Sequence, residues 1–269
     1  SNNGPLCIGD NLSLTASAIP GATYMWNGPN GFSSASQDSV VNNVTTYDAG
    51  TYSVTATAVN GCTGPAGTTA VIISPPPSTP VTGSNSPVCS GQTLSLTANT
   101  YAGAAYSWNG PDGFFSVSQN PIIENVTTLA SGTYSVFVTI GSCTSPTGTV
   151  SVTVNQTPAV PTAGNNSPIC SGSDLSLTAS VVVGSAYSWI GPNSFSSVSQ
   201  DTVIAAATPA SSGTYSVTAT ENGCTSAAGT TSVTVNPIPA APAAGNNGPL
   251  CVGDNLSLTA NTISGATYS

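Results

Sequence analysis

The stretch that decides the fold is Asp48-Ala49-Gly50-Thr51-Tyr52-Ser53-Val54, which returns as Ala130-Ser131-Gly132-Thr133-Tyr134-Ser135-Val136 and again as Ser211-Ser212-Gly213-Thr214-Tyr215-Ser216-Val217. Each copy reads as a corner followed by a strand. Glycine gives the backbone the freedom a tight turn needs, and Tyr opens an alternating run whose in-pointing side chains are, in the first copy, Tyr52, Val54, Ala56 and Ala58. A Tyr that merely favours strands accounts for any one copy. Three copies in register, each following a Trp, mark a repeated structural device.

Working outward, Cys7, Cys89, Cys170 and Cys251 are spaced by 82, 81 and 81 residues, and Trp26, Trp108 and Trp189 by 82 and 81. A period of this length is a whole domain. Within the first copy, Leu12-Ser13-Leu14-Thr15-Ala16 alternates as a short strand, Tyr24-Met25-Trp26 is a second, and Gly28-Pro29-Asn30-Gly31-Phe32 is a turn-rich tip. Ser39-Val40-Val41, the corner strand, a tight hairpin at Asn60-Gly61 and Val71-Ile72-Ile73 complete it. No segment carries helical periodicity, so the expected class is all-β, with seven short strands per sandwich.

The joints are Ser74-Pro75-Pro76-Pro77-Ser78-Thr79-Pro80, Asn155-Gln156-Thr157-Pro158-Ala159-Val160-Pro161 and Asn236-Pro237-Ile238-Pro239-Ala240-Ala241-Pro242. They divide the chain into repeats 1–79, 80–160 and 161–241 and a partial repeat 242–269, in which Ser269 stands just before the expected place of a fourth Trp. Proline at this density favours extended, semi-rigid spacing, so an extended linear array is expected. Half a sandwich cannot bury its own face; residues 242–269 are expected to be a cut through a longer array or to be completed by another chain.

The chain has no Lys, Arg or His, nine Asp plus Glu, a net charge of −9 and 39% hydrophobic residues. The apolar content is enough for a core in each domain, and stability must rest on burial, backbone ladders and cross-links. Nucleic acid and anionic membrane surfaces are excluded as partners, because neutralising phosphate takes Lys or Arg. No apolar run approaches the length of a membrane span and no charged n-region opens the chain; a signal or anchor is expected outside these residues. Without His or Lys, and without a close pair of carboxylates, the sequence points away from an enzyme. The absence of any trypsin-type cleavage site suits life outside a cell.

The Gly-Thr-Tyr corner resembles the tyrosine corner of an immunoglobulin-like sandwich, in which the phenol bonds back to the backbone. On that resemblance Trp26, Trp108, Trp189, Tyr52, Tyr134 and Tyr215 are core residues. The wider pattern is Cys-x-Gly, Leu-x-Leu-x-Ala, Tyr-x-Trp, Gly-Thr-Tyr-x-Val, Gly-Cys or Ser-Cys, and Val-x-Val-x-Asn. Together these resemble the Ig-like and PKD-like tandem repeats of giant Bacteroidota cell-surface proteins, which include gliding-motility adhesins exported by the type IX system. The resemblance implies an extracellular, filamentous, non-enzymatic role as a structural shaft. Its partners would be neighbouring repeats, other filament chains or surface glycans. A glycan- or surface-binding module acting through exposed tips is the alternative, and a spacer within a secreted enzyme is a third. One departure is plain: the positions of the antibody-type inter-sheet disulfide hold Ala16 and Val54, Ala98 and Val136, and Ala179 and Val217.

Seven cysteines at regular spacing read as a disulfide framework. Zinc is disfavoured, since Cys-x-x-Cys and His are both missing. Pairing within repeats would join Cys7 to Cys62, Cys89 to Cys143 and Cys170 to Cys224. In an immunoglobulin-like sandwich, however, Cys7 precedes Ala16 and Cys62 follows Val54 on strands that run the same way. At about 3.3 Å per residue the two lie up to roughly 50 Å apart, against a limit near 7 Å between bridged Cα atoms. Head-to-tail stacking instead brings Cys7 towards Cys143 and Cys89 towards Cys224, leaving Cys62, Cys170 and Cys251 for repeats beyond these residues. Pairing between repeats is the preferred reading, with pairing within repeats kept open.

Three further sets of residues stand out. Asp38-Ser39-Val40 and Asp201-Thr202-Val203 resemble the Bacteroidota O-glycosylation acceptor pattern, making Ser39 and Thr202 candidates, although the second repeat has Asn120-Pro121-Ile122 there. Asp10, Asp174 and Asp254 recur beside the first turn, where carboxylates near repeat junctions can bind calcium. Gln92 holds that place in the second repeat and no dense acidic loop exists, so a solvated turn residue and no cofactor are expected. Phe32, Phe114-Phe115 and Phe195 offer either a sugar-binding surface or a closure for the end of the core.

Overall fold

The computed structural model describes residues 1–267 and is all-β, interrupted by single 3-10 turns. It divides into two compact units, Ser1–Gln156 and Thr157–Ser269. The first unit holds two separate hydrophobic cores and the second holds one.

The second sandwich illustrates all three. One sheet has the order Ile122–Ile123, Leu94–Ala98, Thr82–Ser84, all antiparallel. The other runs Phe115–Ser116, Ala105–Asn109, Gly132–Ile140 and Gly148–Val152. The opening segment serves both layers. After Thr82–Ser84 it crosses at Ser86–Pro87, a cis bond, and Val88–Cys89 then pairs in parallel with Val154–Asn155. Two antiparallel sheets with a first strand split between them, closed by a tyrosine corner, form an immunoglobulin-like sandwich. The chain therefore consists of tandem immunoglobulin-like β-sandwiches.

Alternation in sequence becomes alternation in burial. Leu94, Leu96, Leu175, Leu177, Leu12 and Leu14 are all fully buried, while the residues between them face outward or lie at the margin. Tyr24 and Trp26 point inward around an exposed Met25. At the corner each tyrosine hydroxyl donates to a backbone carbonyl four residues upstream: Tyr52 to Asp48, Tyr134 to Ala130 and Tyr215 to Ser211, each at 2.9 Å. The opposing backbone must come close for this. A Cβ at Gly28, Gly110 or Gly191 would collide with the ring of Tyr52, Tyr134 or Tyr215, so the glycine two residues after each Trp is a packing requirement.

The first sandwich departs from the alternating run expected of it. Val136, Val138, Val217 and Ala219 are fully buried, whereas their counterparts Val54 and Ala56 are only half-buried. Its hairpin differs as well. Gly141-Ser142 and Asn222-Gly223 are two-residue connections closed by Ile140 with Cys143 and Glu221 with Cys224. In the first sandwich Val59-Asn60-Gly61 intervenes between Ala58 and Cys62, the Ala58 amide donating to the Cys62 carbonyl at 3.0 Å. The extra Val59, 87% exposed, makes the tight hairpin one residue longer than Asn60-Gly61 alone implied.

In the partial repeat, Ala244–Asn246 pairs with Leu258–Ala260 and both strands are exposed, Leu258 to 75%. The place before the expected fourth Trp lies outside the described residues.

Candidate functional site

The chemically distinctive site is a cysteine junction in the first unit. Cys7 is the second rung of a parallel pair, Leu6 with Ile73 and Cys7 with Ser74, so it is held at the foot of the first sandwich. Its amide donates to Asp10 Oδ2 at 2.8 Å, which fixes the turn behind it. Cys143 opens the return strand of the second sandwich's hairpin. The two are joined by a disulfide with a Cα–Cα distance of 5.4 Å across a sequence separation of 136. Both half-cystines are buried, and the Ser142 hydroxyl donates to the Pro5 carbonyl at 3.5 Å beside them. Pro75, Pro76 and Pro77 line the same cleft of about 380 Å³. Just beyond, Ser145 Oγ accepts from the Val138 amide at 3.0 Å and donates to the Pro146 carbonyl at 2.9 Å, locking the hairpin to its strand. Ser226 does the same for Ala219 in the third sandwich.

Cys89 and Cys224 are disulfide-bonded too. Cys62, Cys170 and Cys251 are free and exposed. The bonds Cys7–Cys62, Cys89–Cys143 and Cys170–Cys224 are therefore not formed: Cys62 and Cys170 are unbridged, and Cys143 is taken by Cys7.

The acceptor-like triplets have a different task in the fold. Asp38 Oδ1, Asn120 Oδ1 and Asp201 Oδ1 accept from the amides of Ala16, Ala98 and Ala179 at 3.1, 3.0 and 3.0 Å. Asn serves as well as Asp there, which accounts for Asn120. Ser39 is buried and its hydroxyl donates to Ser34 Oγ at 2.7 Å; Thr202 is half-buried. The residue before each of these acceptors, a glutamine, has no distinguishing sequence context beyond its recurrence. The side-chain amides of Gln37, Gln119 and Gln200 donate to the carbonyls of Ala16, Ala98 and Ala179 at 2.9, 2.8 and 2.8 Å. Their backbone carbonyls accept from the indoles of Trp26, Trp108 and Trp189 at 3.1, 3.2 and 3.0 Å. The recurring Ser-Gln-Asp or Ser-Gln-Asn triplet was the available signal.

Asp254 Oδ2 accepts from the Cys251 amide at 2.8 Å as Asp10 does from Cys7, and Asp174 Oδ1 accepts from the Ala206 amide at 3.0 Å. Among the described residues no three His, Cys, Asp or Glu side chains come together in a metal-binding group. Phe32, Phe114 and Phe195 stand edge-on to Tyr52, Tyr134 and Tyr215 at 5.5, 5.3 and 5.5 Å and cover the corner; Phe115 faces solvent. Burial raises the three tyrosine pKa values, most simply at Tyr215, with Asp48 adding to the effect at Tyr52 and Asp112 at Tyr134. The Thr45 amide holds the Asp48 carboxyl below its usual range, against an opposing push from burial. These are structural perturbations, since each group is engaged in a corner and none faces a reactive partner.

No family model matches the chain, and no curated protein matches it. Among solved structures it is similar to an I-band fragment of titin, with 14% identity, 87% of this chain and 94% of that chain covered, and a TM-score of 0.45. The full three-domain ectodomain of mouse nectin-like molecule 4 gives 12% identity, 86% and 96% coverage and a TM-score of 0.37. The three N-terminal domains of the outer capsid protein Hoc of bacteriophage RB49 give 16%, 87%, 96% and 0.38. The fold assignment rests on the strand order and corner geometry above. No helix among the described residues is long and apolar enough to cross a membrane. Tandem sandwiches with buried half-cystines make a structural or binding module suited to an oxidising compartment.

Proposed function

We propose that this chain is part of the structural shaft of an extracellular filament or giant surface adhesin, of the kind its repeat pattern resembles. The observation that carries the reading is the Cys7–Cys143 bond, which ties one sandwich to the next outside either core. A bond in that place supports the continuity of a string of domains. The lack of any Lys, Arg or His supports the same reading, since it removes most general acid–base and nucleophilic chemistry. Secretion, by the type IX route that the resemblance implies, supplies the oxidising surroundings the bond needs.

Electron micrographs of native material are expected to show continuous filaments or strings of beads; compact isolated particles would overturn the shaft. A glycan array probed with the full chain separates the alternative. It is expected to stay blank, and saturable binding lost in Phe115→Ala would replace the shaft with a binding module acting through its tips.

A further inference from the structure

The second sandwich carries on one outer face something that the other two lack. In its larger sheet Tyr106, Trp108, Tyr134 and Val136 are buried, so Ser107, Asn109, Ser135 and Phe137 point outward. Asn109 is paired with Phe115 on one side and Ser135 on the other, and Ser107 with Phe137. In the places of Phe115 and Phe137 the first sandwich has Ser33 and Thr55, and the third has Ser196 and Thr218. Two hydroxyl positions have become phenylalanines on one outward sheet face. Neither ring serves the core: Phe115 is exposed and Phe137 half-buried, while Phe114 covers the corner. The face carries no charge either. The second sandwich's two carboxylates stand off it, Asp112 in the tip Pro111–Gly113 and Glu124 just after Ile122–Ile123 in the opposite sheet.

We infer that this face pairs with the same face of a second copy of the chain. Charge selects that partner. A chain with a net charge of −9 and no cation repels its own kind over any surface that bears carboxylates, and this sheet offers a surface without one. A basic partner would seek the acids instead. Hydrogen bonding selects a copy too: hydroxyls and the Asn109 amide both donate and accept, so such a grid is complementary to itself. The strand order sets the geometry. The sheet runs Phe115–Ser116, Ala105–Asn109, Gly132–Ile140, Gly148–Val152, so a two-fold axis laid along Ala105–Asn109 puts the edge strand of each copy over Gly132–Ile140 of the other. Phe115 of each copy then meets Phe137 of the other, and both rings leave water. Four strands about 4.8 Å apart and about five residues long cover only about 300 Å², against about 800 Å² per partner in a stable complex, so the pairing is weak and reversible. It goes beyond the shaft reading, to which it adds lateral contact between chains, and does not depend on it.

The test is sedimentation equilibrium on the full chain with the free Cys62, Cys170 and Cys251 replaced by Ser, so that no free thiol can join two chains. The average mass is expected to climb from one chain towards two as concentration rises, and to climb sooner in about 1 M salt, which screens repulsion between the acidic copies. Asn109→Asp puts a carboxylate into the face and is expected to weaken pairing by about tenfold or more. Thr97→Asp adds the same charge to the exposed side of the other sheet and is expected to leave it unchanged. Phe115→Ser combined with Phe137→Thr, the residues of the first sandwich in those places, is expected to abolish pairing and keep the fold. A mass independent of concentration, equal losses in Asn109→Asp and Thr97→Asp, pairing kept by the double phenylalanine variant, or dimers that salt dissolves would overturn it. So would a face that stays single and is covered only when a neutral polysaccharide is added. Paired chains that form no filaments in micrographs would sink the shaft and leave the pairing standing.

Discussion

The first and second sandwiches, side by side in one unit, share a centre and differ at their edges. Trp26 and Trp108 are 1% and 0% exposed, Tyr52 and Tyr134 both 0%, and each tyrosine makes the same corner bond. At the open edge of the second, Pro80 is buried with its carbonyl against Gly148, and the backbones of Val81 and Asn99 are tied by the Asn99 amide at 3.1 Å. In the first, the hairpin differs: Val59-Asn60-Gly61 stands where Gly141-Ser142 makes the turn in the second. The third sandwich repeats the second, with the Pro161 carbonyl against Gly229. Pro80 and Pro161, the last prolines of the first two joints, are therefore lids on the cores that follow them and not merely spacers.

The cysteines give the largest expected contrast. Cys143→Ser opens a loop spanning 136 residues, which in the chain-entropy account costs the first unit about 5 kcal/mol, while Cys62→Ser, at a free and exposed position, stays within about 0.5 kcal/mol. Calorimetric unfolding of the two variants under non-reducing conditions measures this, and equal losses would erase the distinction. Next comes the lid. Gly148→Val drives a side chain into the Pro80 backbone and is expected to cost about 2 kcal/mol or more. Chemical denaturation measures the loss, and hydrogen exchange confined to the second sandwich locates it.

The smallest effect is in acid. Asp48, in its capping box with Thr45, belongs to the first sandwich alone; Ala130 and Ser211 hold the equivalent places. Its folded pKa lies below the unfolded value, so its contribution is complete above the unfolded pKa, about 3.9, and is lost as pH falls through the folded value. Hydrogen exchange between pH 5 and 2 is expected to show the first sandwich loosening ahead of the second, and Asp48→Ala should abolish that order.

The fold was legible because burial on one face of a strand writes itself as a period of two, and because Trp and Gly-Thr-Tyr are too bulky and too specific to recur by accident. Other features leave no such trace. Gln37 and Asp38 act through bonds to backbone atoms of Ala16, more than twenty residues away, and in sequence they look like any polar turn. Asp38-Ser39-Val40 likewise shows an acceptor-like pattern in sequence, and only the fold shows the serine buried in a paired strand. Gly28 reads as a turn residue until the ring of Tyr52 is seen to occupy the place of its missing side chain. Cysteine spacing admits more than one partner for Cys7; only the fold shows that the second sandwich's hairpin brings Cys143 within 5.4 Å of it between Cα atoms.

The glutamine clamps carry one more consequence. Gln37, Gln119 and Gln200 fasten the layers with neutral amides where many proteins use opposite charges, and no side-chain cation exists for the nine carboxylates to attract. Dissolved electrolytes therefore have no attraction to weaken in this fold and only mutual repulsion to relieve. The stability of the sandwiches is therefore expected to hold from low to high salt.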